Sequence, residues 1–195
     1  SPFASSLDIV QKLEPEIVAY GLRNPWGVSI DSNDRMFILN CGWSSVESVY
    51  LLNDLNSDTP SNFGWPVFQG TKRMRKDDLL IFQDTSSPIY EYINRPGCAI
   101  GGFYLDYLEL LLFGDFYGTV RMLKQQKNGK WNLFHEFKQE NIIWSLGFDK
   151  KTEKIFIGPN SLELKVSIAP FKLDEKVELC RTTMPNGSIN NSGCN

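Results

Sequence analysis

Tyr20-Gly21-Leu22-Arg23-Asn24-Pro25-Trp26-Gly27-Val28-Ser29-Ile30-Asp31 sets a stiff turn directly before a strand pattern. Its glycines permit backbone geometry closed to other residues, and Pro25 fixes one dihedral. Pro25 also pushes Asn24 toward an extended conformation. Arg23 brings a planar fork of donors, and Asn24 brings donors and an acceptor. Two polar side chains therefore stand on a rigid turn at the mouth of a strand. Either they aim at an anionic or carbonyl-rich ligand, or they tie down the carbonyls of a neighbouring loop.

The strand phrase returns twice. Gly27-Val28-Ser29-Ile30-Asp31 passes through Ser32-Asn33-Asp34 into Met36-Phe37-Ile38-Leu39-Asn40. Trp144-Ser145-Leu146-Gly147-Phe148-Asp149 passes through a Lys-Lys-Thr-Glu turn into Lys154-Ile155-Phe156-Ile157-Gly158. A looser copy runs from Gly102-Phe103-Tyr104-Leu105-Asp106 to Leu111-Leu112-Phe113-Gly114-Asp115. Each is a hairpin pattern, and Asp31, Asp106 and Asp149 hold matching places. Repeated antiparallel units of this kind suggest a β-propeller.

The rest also reads as strands. Ser48–Leu52 is a short one, and Ile89–Tyr92 alternates. Thr119–Leu123 and Trp131–Phe134 flank Lys127-Asn128-Gly129-Lys130, where Asn-Gly marks a hairpin turn. Leu162, Leu164, Val166 and Ile168 alternate with polar residues until Pro170. The expected fold class is all-β, with 1–173 as propeller and 174–195 as a polar, cysteine-bearing tail or linker. Of the 195 residues, 42% are hydrophobic and 22% charged, which is globular rather than disordered. The net charge of −3 offers no basic surplus for phosphates, so no nucleic-acid partner is expected. No apolar run reaches membrane-spanning length. Ser1-Pro2-Phe3 lacks an initiator Met and a signal-peptide pattern, so a processed or incomplete piece is expected.

Cys41, Cys98, Cys180 and Cys194 form no CxxC pair, and His135 is the only histidine. That argues against zinc. The even count, with sequons at Asn186 and Asn190, favours an oxidising, secretory setting. Cys180 and Cys194 bracket the tail and are candidates for each other, but four cysteines allow three pairings. Asp54-Leu55-Asn56-Ser57-Asp58 copies the opening of an EF-hand loop. Thr59 and Trp65 stand where Gly and a bidentate Glu are needed, so a solvated loop is expected. Lys72-Arg73-Met74-Arg75-Lys76 is followed by two aspartates and also reads as a solvated loop. His135 reads as an edge histidine. Trp26, Trp43, Trp65, Trp131 and Trp144 suit packing between blades, while Trp43 and Trp65 also suit a sugar-binding floor.

Taken in order, several phrases resemble the glucose/sorbosone dehydrogenase family. This family comprises the soluble quinoprotein sugar dehydrogenases and hedgehog-interacting-protein-like ectodomains. Glu16 to Trp26 is similar to its hallmark, and Phe37 to Trp43 to its strand and glycine loop. Glu47 and Val49 sit in the usual acidic-apolar follow-on. Asn62-Phe63-Gly64-Trp65-Pro66, Pro88-Ile89-Tyr90-Glu91-Tyr92, Gly97 to Gly102 and Phe113-Gly114-Asp115-Phe116 follow. The resemblance covers roughly residues 1–170. It implies about half, the C-terminal half, of a six-bladed propeller of four-stranded blades, and hence a missing N-terminal half as partner.

In the complete enzyme the resemblance implies pyrroloquinoline quinone (PQQ) and calcium as cofactors, and hydride transfer from the anomeric carbon of an aldose to the quinone. Arg23 and Asn24 match residues that contact the quinone. The carbonyls of Gly42 and Trp43 fall where they reach the quinone-bound calcium. The family's histidine base lies upstream of the hallmark, so no catalytic residue is expected here. Phe116 stands where the enzymes place a cofactor-holding lysine, and Glu140 and Ile142 stand roughly where they place two arginines. Asn40-Cys41 replaces an acidic-apolar pair. The fragment is thus not expected to catalyse by itself. The alternative is a non-catalytic, secreted propeller that binds a protein or glycan.

Overall fold

The computed structural model describes residues 16–44, 46–75, 85–93, 97–152, 154–158, 162–165, 182–183 and 189–190, the last three ranges by backbone only. Every regular element among them is a β-strand. The first part gives β1 (Ala19–Tyr20), β2 (Pro25–Ile30), β3 (Met36–Asn40), β4 (Glu47–Leu52), β5 (Ser61–Asn62), β6 (Phe68–Gln69), β7 (Lys72–Arg73) and β8 (Tyr90–Tyr92). Next come β9 (Ala99–Leu105), β10 (Leu110–Asp115), β11 (Thr119–Gln125) and β12 (Trp131–Lys138). The last part gives β13 (Ser145–Asp149), β14 (Lys154–Gly158), β15 (Leu162–Lys165), β16 (Thr182–Thr183) and β17 (Ile189–Asn190).

These build successive antiparallel blades: β2-β3-β4-β8, then β9-β10-β11-β12, then β13-β14-β15. Each blade opens with one copy of the repeated phrase. The copies are the hairpins β2–β3, β9–β10 and β13–β14. Their leading strands lie side by side, β2 against β9 and β9 against β13. The architecture is about half of a six-bladed propeller.

Local chemistry explains the hairpins. Asp31 Oδ1 accepts from the amides of Asn33 and Arg35, both at 2.9 Å, and closes the first turn. Asp149 does the same in the third, accepting from Lys151 N at 2.9 Å. Asp106 departs from the pattern. It reaches across blades to the Ser32 amide at 2.8 Å, so the second repeat braces the first. The predicted Asn-Gly turn closes β11 onto β12, with Gly129 at φ 83°. The first strand starts at Pro25, earlier than the alternation suggests. Pro25 has no amide to give, and the register shifts between Pro25 and Gly27 to accommodate it.

The core lies between blades. Phe37, Leu39 and Val49 of the first meet Leu111, Phe113 and Leu123 of the second. Ile100, Leu112, Val120 and Met122 meet Ile143, Ile155 and Ile157. β10 is therefore buried on both faces, which is why Leu110 to Phe113 is an unbroken apolar run. Each such side chain contributes about 1.5–3 kcal/mol on burial.

A long excursion between β4 and β8 carries β5, β6 and β7. Phe63, with Leu22 and Ala19, covers Ile38 and Tyr50 on the open face of the first blade. β1 pairs in parallel with β5, an arrangement the alternation does not foretell. In the Asp54 loop, Asp54 Oδ1 accepts from Asn56 N at 2.8 Å and the residues are largely exposed, as expected of a solvated loop. His135 pairs with Met122 on the outermost strand of its blade. In the tail, β16 and β17 form a short antiparallel pair. The sequence expectations for Val166 to Pro170, Cys180 and Cys194, the Asn186 sequon and the domain boundary at 173 lie outside the described residues.

Candidate functional site

The blades share one end, where β2, β9 and β13 begin and β3, β10 and β14 finish. The Arg23-Asn24 turn sits there. Asn40, at the last position of β3, fixes it. Its Oδ1 accepts from Arg23 N at 3.1 Å and from Asn24 N at 3.0 Å. Cys41 N returns a bond to the Asn24 carbonyl at 2.9 Å. One buried amide side chain thus satisfies two donors of the turn.

Held this way, the half-buried Arg23 reaches the next loop. Its Nη1 donates to the Gly42 carbonyl at 2.9 Å and, more weakly, to the Cys41 carbonyl at 3.4 Å. Its guanidinium carbon lies 5.2 Å from the centre of the Trp43 ring. Trp43 is 66% exposed and stacks beside Trp65, centres 6.2 Å apart. Arg23, Gly42 and Trp43 are therefore brought together. The described bonds of Asn24 run through its backbone.

The loops holding these groups are close-packed. A Cβ on Gly42 would collide with the Val46 carbonyl and lie 2.5 Å from Gln69 Nε2. Gly21 has φ 73°, and its carbonyl accepts from Trp65 N at 2.8 Å, which seats the second tryptophan. No larger residue suits either place.

Beneath the mouth lies a buried acidic layer. Glu47 Oε2 accepts from Gly42 N at 2.9 Å and Ala99 N at 3.2 Å. Burial pushes the Glu47 carboxyl above its ordinary value; the two amides and the Arg23 charge pull it back, and Asp115 adds to the rise. Asp115 accepts from the Tyr92 hydroxyl at 2.8 Å, from Cys98 N at 3.1 Å and from Tyr117 N at 3.0 Å. Burial first, then the charge of Asp115, holds the Tyr92 phenol far above its usual range. Arg121 lies 3.9 Å over the Tyr92 ring and pairs with Glu136 at 3.2 Å.

Cys41 and Cys98 form a disulfide, Cα atoms 4.7 Å apart, joining the exit of β3 to the entrance of β9. Their sulfurs and a Glu47 oxygen lie within 4.8 Å of one another. Sulfurs bonded to each other are not thiolate ligands, so this grouping is a brace rather than a metal centre.

Sequence reasoning left this pairing open among three, and missed the buried layer. The signal was available in the repeat. Cys41 follows the second strand of one copy and Cys98 precedes the first strand of the next, so both fall at one end. Phe116 packs edge-on to Trp144 at 4.7 Å within the apolar cluster, and Glu140 and Ile142 are exposed.

Two solved structures share the fold of this chain. The PQQ-bound aldose sugar dehydrogenase of Streptomyces coelicolor aligns with 72% of this chain and 38% of its own, at TM-score 0.52 and 15% identity. A putative glucose dehydrogenase from Thermus thermophilus aligns with 74% of this chain and 41% of its own, at TM-score 0.51 and 15% identity. The chain has the propeller fold of these two structures. In sequence, a HIPL1 protein of Arabidopsis thaliana is 39% identical over 62 residues, 31% of this chain and 8% of the relative. The chain thus spans under half the length of each of these relatives. No protein-family model matches it.

Proposed function

We propose that the chain is the C-terminal part of a sugar-dehydrogenase-type propeller and that its ligand meets the mouth at Arg23, Asn24, Gly42 and Trp43. The observation that carries this is the guanidinium of Arg23, pinned at 2.9 Å to Gly42 beside a largely exposed tryptophan. A planar, carboxylate-bearing ligand suits that pair: the fork matches a carboxylate, and the indole offers a flat face. In the enzymes of the family the ligand is PQQ with calcium, which supplies a quinone that accepts hydride from the C1 of an aldose. By resemblance Arg23 and Asn24 would face the quinone, and the Gly42 and Trp43 carbonyls the calcium.

The fit to that loaded form is incomplete. Phe116, Glu140 and Ile142 bring no positive charge, and Glu47 and Asp115 lie buried below. Among the described residues, a polyanionic quinone would meet the Arg23 guanidinium above an acidic layer. Catalysis therefore belongs to a complete family enzyme, and this part supplies binding. A secreted, non-catalytic propeller that takes a sugar, a glycan or an extracellular protein is the second reading. The Cys41–Cys98 disulfide and the HIPL1 similarity favour it, as does the sequon at Asn190. Among the described residues no helix is long and apolar enough to cross a membrane.

The test is calorimetric titration of this chain, and of its longest natural form, with PQQ in calcium and in EDTA. Binding that Arg23→Ala abolishes supports the quinone reading, and a dye-linked aldose assay then asks for turnover. Absence of binding by both folded forms would transfer the site to the second reading.

A further inference from the structure

We propose that Arg23 is the resident cation of this mouth and that its seat on the Cys41 and Gly42 carbonyls closes the site to calcium. The inference rests on the reading of this mouth as the ligand site and specifies its chemistry: a carboxylate ligand meets the guanidinium directly, with no divalent ion between.

Calcium needs about six to eight oxygens at about 2.3–2.6 Å. The Gly42 carbonyl, which the resemblance assigns to it, already accepts from Arg23 Nη1 at 2.9 Å, and Cys41 O lies 3.4 Å from the same nitrogen. A dication on that oxygen would stand within a few ångströms of a permanent positive charge. Arg23 is not free to swing aside at no cost. Its guanidinium lies over Trp43 and would give up that contact together with the Gly42 bond. The loop cannot readily offer its carbonyl elsewhere, because Gly42 N is tied to Glu47 and the Gly42 Cα is packed against Val46.

Terbium, a luminescent calcium mimic, gives a direct readout, since Trp43 beside the site can sensitise it. The full chain is titrated with terbium, and separately with calcium while its melting is followed. The same is done with Arg23→Met, which keeps an apolar stem against Trp43. Near-UV circular dichroism reports whether the variant is folded. The expected result is no saturable sensitised emission and no calcium-dependent melting shift in the wild type. In Arg23→Met, emission appears with at least about tenfold tighter binding, and Trp43→Phe in that background removes it. Saturable emission from the wild type that Trp43→Phe removes, or a wild-type melting shift with calcium, overturns the proposal. A folded Arg23→Met, or Arg23→Gln where the first misfolds, that gives no saturable emission also overturns the proposal. The proposal also separates from the quinone reading. Failure to bind PQQ in either buffer removes that reading alone, while PQQ binding strictly dependent on calcium removes this proposal alone.

Discussion

At the scale of single residues, the mouth depends on buried carboxylates that each satisfy several donors. Among the described bonds of Asp115, Tyr92 is the one side-chain donor, at 2.8 Å, to an oxygen that also accepts from Cys98 N. Tyr92→Phe leaves that buried oxygen short of a partner and is expected to cost about 1–3 kcal/mol in urea unfolding. A loss under about 0.5 kcal/mol would mean that water replaces the hydroxyl. Glu47 gives a pH signature. Burial raises its carboxyl in the folded chain, so the folded state keeps its proton when the unfolded state has released it. Stability credited to Glu47 is therefore full below the unfolded value and falls as pH rises through the folded one. Glu47→Gln can still accept from Gly42 and Ala99 and does not titrate. Its stability relative to wild type is expected to increase from about pH 4 upward and then level off. A difference independent of pH would show that the Glu47 carboxyl is not raised.

At the scale of elements, the Arg23-Asn24 turn is held by the end of β3 rather than by its own sequence. Asn40→Ala removes the acceptor of two amides. Exchange of the Arg23 and Asn24 amides should accelerate by roughly tenfold or more, with about 1–3 kcal/mol lost. Asn40→Asp keeps an acceptor in place and is expected to restore protection. Equal protection in all three would mean that Pro25 alone holds the turn. The inner hairpins are more self-sufficient: Asp31 and Asp149 close their own turns, and apolar alternation supplies the face.

At the scale of the whole molecule, the described blades are joined by apolar packing, by the bonds of Asp106 to Ser32 and Glu47 to Ala99, and by the Cys41–Cys98 cross-link. The Cys41–Cys98 bond spans 57 residues. Replacing both cysteines by serine is expected to destabilise by about 4 kcal/mol on the chain-entropy account, read as a lower midpoint in denaturant. An unchanged midpoint would show that packing alone fixes the two blades. The outward face of β2 is the weak point, with Trp26 49%, Val28 52% and Ile30 51% exposed. In a closed ring such a face meets another blade. Alone, it is expected to drive self-association of this chain, and Val28→Lys with Ile30→Lys should shift sedimentation toward monomer. A wild-type chain that sediments as a monomer would contradict this.

The sequence by itself determined the β class, the hairpin repeat and the placing of Arg23 and Asn24 on a turn at a strand mouth. These are legible because alternation, Asp and Asn-Gly turns and the Asn24-Pro25 step act over a few residues. The Cys41–Cys98 pairing, the burial of Glu47 and Asp115, the parallel pairing of β1 with β5 and the seat of Arg23 on the Gly42 carbonyl were decided by tertiary structure. Each depends on bringing together segments separated by more than a turn, and pattern over a short window carries no distance between them. Arg23 ties down the neighbouring loop because the β2–β3 register sets Pro25 opposite Asn40 and so brings the Cys41 and Gly42 carbonyls within its reach.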